Sequence, residues 1–223
     1  MTDRVRICEV GPRDGLQNEA RAIPAADKIA LVERAAAAGL GRIEVTSFVS
    51  PRAVPQLADA VEVMAGVRRE PGVEYSVLVP NEKGYDRALA ARADRVAVFA
   101  SATEGFSQAN INCSINESFA RFAPILRAAE RDGIPVRGYV SCVTECPYEG
   151  PVDPQAVVDV AQRLADIGAD EISLGETLGR GTPDRVAVML DAVLACLPAE
   201  SLTGHFHDTG GSALANVGVA LER

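Results

Sequence analysis

His205 and His207 are the only two histidines in the 223-residue sequence, and they stand two apart at the end of an apolar run, Leu202–Phe206. In a strand, residues i and i+2 point to the same side, so two imidazoles at this spacing can grip one ion while Phe206 faces the helices. A lone buried histidine is usually a satisfied core residue, but a pair at a strand end reads as a pair of ligands. Asp14, at the end of another strand-like run, is the candidate third donor. Two imidazoles with hard oxygen donors and open positions suit Mg²⁺, Mn²⁺ or Zn²⁺ rather than a thiolate zinc site.

Asp14 belongs to the polar stretch Glu9–Glu19, with Arg13 beside it and Gln17 and Asn18 following. On composition alone the stretch reads equally well as a solvated turn with a surface Arg13–Asp14 ion pair. Glu44, Glu176 and Thr177 close other strand-like runs. Carboxylates there serve as a base, orient an arginine or a metal-bound water, or form an ion pair in the floor of the fold. Only two lysines occur, Lys28 and Lys83, neither on a strand, which excludes Schiff-base carbonyl chemistry and leaves a metal-assisted route. Cys142 and Cys146 flank Val143-Thr144-Glu145 without Cys-x-x-Cys spacing or a second pair, and read as spectator thiols.

These residues need a scaffold that brings strand ends together. Strand-like runs fall at Val5–Val10, Arg42–Thr46, Glu74–Val79, Arg95–Phe99, Pro135–Val140, Glu171–Leu174 and Leu202–Phe206. Helical patterns fall at Ala25–Ala38, Pro55–Val67, Gly84–Ala91, Glu117–Arg131, Pro154–Ile167, Pro183–Leu197 and Gly211–Leu221. Gly39, Gly133 and Gly168 each sit where a left-handed helix stop belongs. The repeat predicts buried parallel strands, and no Gly-x-Gly-x-x-Gly follows the first run. The expected fold is α/β, a TIM (β/α)₈ barrel whose strands meet at one catalytic face. With seven runs, and fewer residues than the barrel norm of about 250, it is expected to lack the last strand/helix unit in this chain. Residues 1–223 then form one catalytic domain.

Lys plus Arg is 22 against 31 for Asp plus Glu, a net charge of −9, which excludes a nucleic-acid partner. No apolar run approaches the ~18 to 20 residues of a membrane span. Met1-Thr2-Asp3-Arg4 runs directly into a strand-like pattern, with no basic-then-apolar leader. Five scattered cysteines, an odd number, suit free thiols in a reducing compartment, so the expected location is cytoplasmic.

Taken together, Arg13-Asp14-Gly15-Leu16-Gln17-Asn18-Glu19, Glu44-Val45-Thr46-Ser47-Phe48-Val49-Ser50-Pro51, Asn110-Ile111-Asn112-Cys113-Ser114, Arg137-Gly138-Tyr139-Val140-Ser141-Cys142, Cys146-Pro147-Tyr148-Glu149-Gly150 and His205-Phe206-His207-Asp208-Thr209 closely resemble hydroxymethylglutaryl-CoA lyase. Arg-Asp-Gly with His-x-His marks only the wider metal-dependent barrel superfamily, which includes the homocitrate and isopropylmalate synthases. The Thr46-to-Pro51 and Cys146-to-Gly150 stretches narrow it to the lyase.

The resemblance implies cleavage of hydroxymethylglutaryl-CoA to acetyl-CoA and acetoacetate, with Mg²⁺ or Mn²⁺ on Asp14, His205 and His207. It implies a catalytic Arg13 supported by Glu44 and Glu176. Arg13, Gln17 and Thr177 are the expected substrate contacts, and the expected assembly is a homo-oligomer, a dimer. Three departures stand out. Glu176 replaces the family's usual Asp, and Gly210 stands where the family usually has Tyr. The family's glycine-rich loop with its catalytic cysteine, and an asparagine ligand, lie beyond the seventh helix and have no match here, so no cysteine takes that role. Gly210 would suit a bulkier acyl group. The alternatives are a lyase for a longer branched 3-hydroxyglutaryl-CoA, a condensing relative, and an inactive CoA-ester-binding barrel.

Overall fold

Most of the longer strands are buried on both faces and alternate with helices, most of which bury one stripe, as the β-branched and alanine-rich runs predict. The structure, a computed structural model, describes Val5–Arg223. The expected lack of a leader rests partly on Met1–Arg4, which lie outside the described residues. The chain forms two compact units, Met1–Ala97 and Val98–Arg223.

In the first unit, strand β1 (Arg42–Ser47), strand β2 (Glu74–Leu78) and the beginning of strand β3 (Arg95–Ser101) run parallel. The β1–β2 register slips between Glu44 and Thr46, a bulge that redirects the side chains after it. Three helices accompany them: α1 (Ala25–Ala37), α2 (Ala60–Gly66) and α3 (Glu82–Ala90). Helix α1 buries Lys28, Val32 and Ala36, spaced about one turn apart. Lys28 Nζ donates to both carboxylate oxygens of Asp59, at 2.7 and 2.8 Å. Asp59 therefore does not cap the helix it precedes. The expected helix Pro55–Val67 is instead a 3₁₀ turn, Pro55–Leu57, followed by α2.

The expected first strand, Val5–Val10, is reduced to one parallel bridge between Glu9 and Ile43. Its bonds run from Glu9 N–H to Arg42 O, 2.9 Å, and from Glu44 N–H to Glu9 O, 2.8 Å. Val5 and Ile7 are 67% and 66% exposed, so the apolar residues upstream of Glu9 are not packed as an inner strand would be.

The second unit carries the end of β3, then strand β4 (Val136–Ser141) and a small antiparallel hairpin of β5 (Glu145–Cys146) and β6 (Gly150–Pro151). Strands β7 (Glu171–Glu176) and β8 (Leu202–Phe206) follow, and the parallel order is β3, β4, β7, β8. Among the described residues β8 pairs with β7 alone, and every residue along it keeps some exposure.

Helices α4 (Glu104–Ile111), α5 (Ile115–Asp132), α6 (Pro154–Asp166), α7 (Pro183–Leu194) and α8 (Ala213–Leu221) complete this unit. A reciprocal Ser114–Glu117 capping box opens α5. Gly133, at φ 69°, follows its end as the glycine spacing predicts. Helix α4 has no counterpart in the sequence reading. Ser107 is its only buried residue, so it carries no apolar stripe for periodicity to reveal. Among the described residues no helix is long and apolar enough to cross a membrane.

Candidate functional site

Arg13 and Asp14 lie on a π-helical turn, Gly11–Gly15, at the point where the expected first strand would end. Glu9 shapes the entry, its carboxylate accepting from Gly11 N–H at 2.6 Å. A side chain at Gly11 would strike that carboxylate, because a Cβ there would lie 2.7 Å from Oε1. Sequence reasoning assigned Glu9 no role; its position two residues before a glycine was the available signal.

Arg13 is buried, and its guanidinium is shared by two acids. Nε donates to Glu44 Oε1, and Nη1 donates to Asp14 Oδ1 at 2.7 Å. Glu44 comes from β1, immediately before the bulge, and is fully buried. Of the arrangements open to it from sequence, Glu44 adopts a direct bond to an arginine. Charge-assisted bonds of this kind fix a guanidinium more firmly than neutral ones. Gln17 follows the turn, half-buried.

In the second unit, His205 is the penultimate residue of β8 and His207 immediately follows the strand, both half-buried with ring centroids 4.8 Å apart. This matches the same-side geometry expected of i and i+2. His207 Nδ1 lies 2.9 Å from the main-chain oxygen of Glu176. A carbonyl only accepts, so Nδ1 carries a proton, and in the neutral ring Nε2 is then the nitrogen able to coordinate a metal. Tyr139 approaches His205 edge-on at 6.1 Å.

Glu176 ends β7 fully buried, and its Oε1 accepts from Thr144 Oγ1 at 3.2 Å. The Thr177 hydroxyl accepts from Cys142 N–H at 2.8 Å and donates to Gly175 O at 3.4 Å. It thereby braces the ends of β4 and β7. Gly210 N–H bonds to Gly179 O at 2.5 Å, and a Cβ on Gly210 would lie 2.9 Å from that same oxygen. The side-chain direction at Gly210 thus points into main chain rather than into open space.

None of the five cysteines is in a disulfide among the described residues. Burial pushes the Cys142 thiol up to about 12. Burial also opposes ionisation of Cys146, but the Thr103 hydroxyl and the N–H groups of Tyr148 and Glu149 bring it below the ordinary thiol value.

The HMGL-like family model matches residues 4–223. A Pseudomonas aeruginosa protein named 3-hydroxy-3-isohexenylglutaryl-CoA/hydroxy-methylglutaryl-CoA lyase is 55% identical over 218 residues, which is 98% of this chain and 73% of that protein. The cytoplasmic 3-hydroxy-3-methylglutaryl-CoA lyase of Mus musculus is 52% identical over 222 residues, 100% of this chain and 65% of its own length. The crystal structure of the HMG-CoA lyase from Brucella melitensis superposes with a TM-score of 0.95 at 62% identity, covering 98% of this chain and 78% of that one. An Acinetobacter baumannii HMG-CoA lyase solved with coenzyme A and 3-methylmalate gives 0.93 at 36% identity, covering 97% and 71%. The alternating parallel strands and helices are those of the TIM-barrel lyases. The chain belongs to the HMGL-like family and, within it, to the hydroxymethylglutaryl-CoA lyases, enzymes that act on a carbon–carbon bond.

Proposed function

We propose that this chain cleaves hydroxymethylglutaryl-CoA to acetyl-CoA and acetoacetate, using Mg²⁺ or Mn²⁺ held by Asp14, His205 and His207. Each of the three offers one ligand atom, and with Nδ1 of His207 donating to Glu176 O, Nε2 is the coordinating nitrogen in this reading. The mixed nitrogen and oxygen donors fit a hard divalent ion. Such an ion, when bound, supplies Lewis-acid polarisation of substrate oxygens.

The reaction removes the proton of the tertiary hydroxyl, converts that carbon to the ketone of acetoacetate, and releases the enolate of acetyl-CoA, which takes up a proton. Arg13 is the cationic donor for the enolate oxygen, held in place by Glu44 and Asp14. Glu176 is the buried carboxylate assigned to proton relay, and Gln17 and Thr177 are assigned to substrate contact. The observation that carries this reading is the Arg13 guanidinium fixed between a fully buried glutamate and a candidate metal ligand.

The test is acetoacetate release from hydroxymethylglutaryl-CoA with Mg²⁺ or Mn²⁺ and then with chelator. Release that the chelator abolishes supports the reading; no release with either metal overturns it. A second substrate is favoured by the name of the Pseudomonas relative, which includes a longer branched ester. Running 3-hydroxy-3-isohexenylglutaryl-CoA beside the shorter ester ranks the two. The same reading takes residues 1–223 as one catalytic domain, working as a homodimer in the cytoplasm, where five free thiols stay reduced.

A further inference from the structure

Loop 177–182, which follows β7, is pinned from three different places along the chain: just after β4, between β8 and α8, and within α8. Thr177 Oγ1 accepts from Cys142 N–H at 2.8 Å, Gly179 O accepts from Gly210 N–H at 2.5 Å, and Gly181 O accepts from Asn216 Nδ2 at 2.9 Å. The third pin lies against the site. A Cβ on Gly181 would fall 2.6 Å from Glu176 Cγ and 2.9 Å from Thr144 Oγ1, so the main chain there rests directly on the Glu176 side chain. Glu176 is 0% exposed, and its Oε2 has no hydrogen-bond partner among the described residues.

Asn216 is the only buried residue of α8 and is fully buried, within the apolar run Ala213-Leu214-Ala215-Asn216-Val217. Its Oδ1 is buried without a partner among the described residues. An amide buried in this state is worse for stability than an apolar side chain of similar size. Its contribution therefore lies in the one bond it makes, to Gly181.

We propose that Asn216 is a positioning residue that, by holding Gly181 O, presses loop 177–182 onto Glu176 and fixes the orientation of that carboxylate during C–C cleavage. The proposal rests on the functional reading above. It acts through a main-chain contact, so the residue at 216 need not touch substrate. A restrained carboxylate meets the reacting proton in one geometry, whereas a loosened one samples several.

Steady-state cleavage of hydroxymethylglutaryl-CoA with Mg²⁺ is measured for the full chain, Asn216→Ala, Glu176→Asp, the double variant, and Val219→Ala as a control that loosens the half-buried side of α8 elsewhere. Asn216→Ala is expected to lower kcat about tenfold or more with KM changed less than about twofold, the split expected when a transition-state interaction is lost. Val219→Ala is expected to keep kcat within about twofold, and the losses in the double variant to be less than multiplicative, because both act on one group.

An activity-independent arm uses trypsin. Arg180 is exposed between buried Gly179 and Gly181, so Asn216→Ala is expected to accelerate cleavage after Arg180 about tenfold relative to the other sites. Equal kcat losses in Asn216→Ala and Val219→Ala, multiplicative losses in the double variant, or unchanged cleavage after Arg180 would overturn the proposal. A parent chain that releases no acetoacetate overturns the functional reading and the catalytic role of Asn216 with it. The trypsin arm then still decides whether Asn216 clamps the loop.

Discussion

Glu44 has no exposed surface, and its carboxylate receives the Nε–H of Arg13 from a turn 31 residues earlier in the chain. The pair is buried on both sides and is extended by Asp14, so the guanidinium carries two acids. A charge buried with its partner is tolerable; the same charge left alone is not. The pair is therefore a folding constraint as well as part of the site.

Glu44→Ala leaves the buried Arg13 guanidinium without one of its two acids and is expected to destabilise the chain by about 1 to 3 kcal/mol, read from urea unfolding. Glu44→Gln keeps a hydrogen-bond acceptor and is expected to cost less stability while still lowering kcat. Equal stability of Glu44→Ala and the parent would show that solvent reaches the pair.

Arg13→Met removes the charge but keeps a chain of similar length. Turnover is expected to fall by about a hundredfold or more, the usual cost of deleting a preorganised donor to a developing oxyanion. Mn²⁺ binding is expected to remain, read by calorimetry. Full turnover in Arg13→Met would remove the arginine from the chemistry.

Metal binding is expected to stabilise the fold. An ion that binds only the folded chain adds about 2.7 kcal/mol when present at about a hundred times its Kd. A scan with Mn²⁺, without it, and with chelator reads this as a rise in Tm. His207→Ala is expected to abolish the rise, and His205→Ala likewise. A rise that survives both substitutions would move the ion elsewhere.

Much of this architecture is legible in the sequence because buried parallel strands leave continuous apolar runs, as at Val96–Ala100, and because glycine stops need a left-handed backbone, as at Gly39, Gly133 and Gly168. Val5–Val10 misleads because alternation reports a strand's side chains and not whether a neighbour exists to pair with it. Helix α4 escapes notice because it buries only a serine. The close approach of the His205 and His207 rings is readable from their spacing. Glu44 is readable as an inward carboxylate, but its partner is not, since the π-helical turn that delivers Arg13 has no residue pattern of its own. Asn216 and Gly181 are invisible as a pair because nothing along the chain links positions 35 residues apart.

Gly210→Tyr would place at this position the residue that the resemblance leads one to expect, yet the side-chain direction meets Gly179 O, where a Cβ would lie 2.9 Å away. The Gly210 N–H bond to Gly179 O would have to open. A destabilisation of about 1 to 3 kcal/mol is expected, as for other overpacked sites. Tolerance of Tyr without loss would show that the two glycines separate readily, and would return Gly210 to the role of a pocket-widening position.

Cys142 gives the chain an alkaline dependence whose sign follows from burial. Its thiol is pushed from 9.0 up to about 12, chiefly by burial. Between those values the unfolded chain has lost the proton and the folded chain keeps it, so raising the pH favours unfolding. The contribution is intact below pH 9 and falls by about 1.4 kcal/mol for each further pH unit. Cys146, held below its ordinary value, works in the opposite direction and is present in both chains to be compared. Cys142→Ala isolates the effect, because alanine tolerates the left-handed φ of 62° no better than cysteine does and differs only by the thiol. Urea midpoints from pH 8 to 10.5 are expected to fall more steeply for the parent than for Cys142→Ala. Parallel curves would mean that the thiol ionises in the folded chain as easily as in the unfolded one, and that the end of β4 admits water.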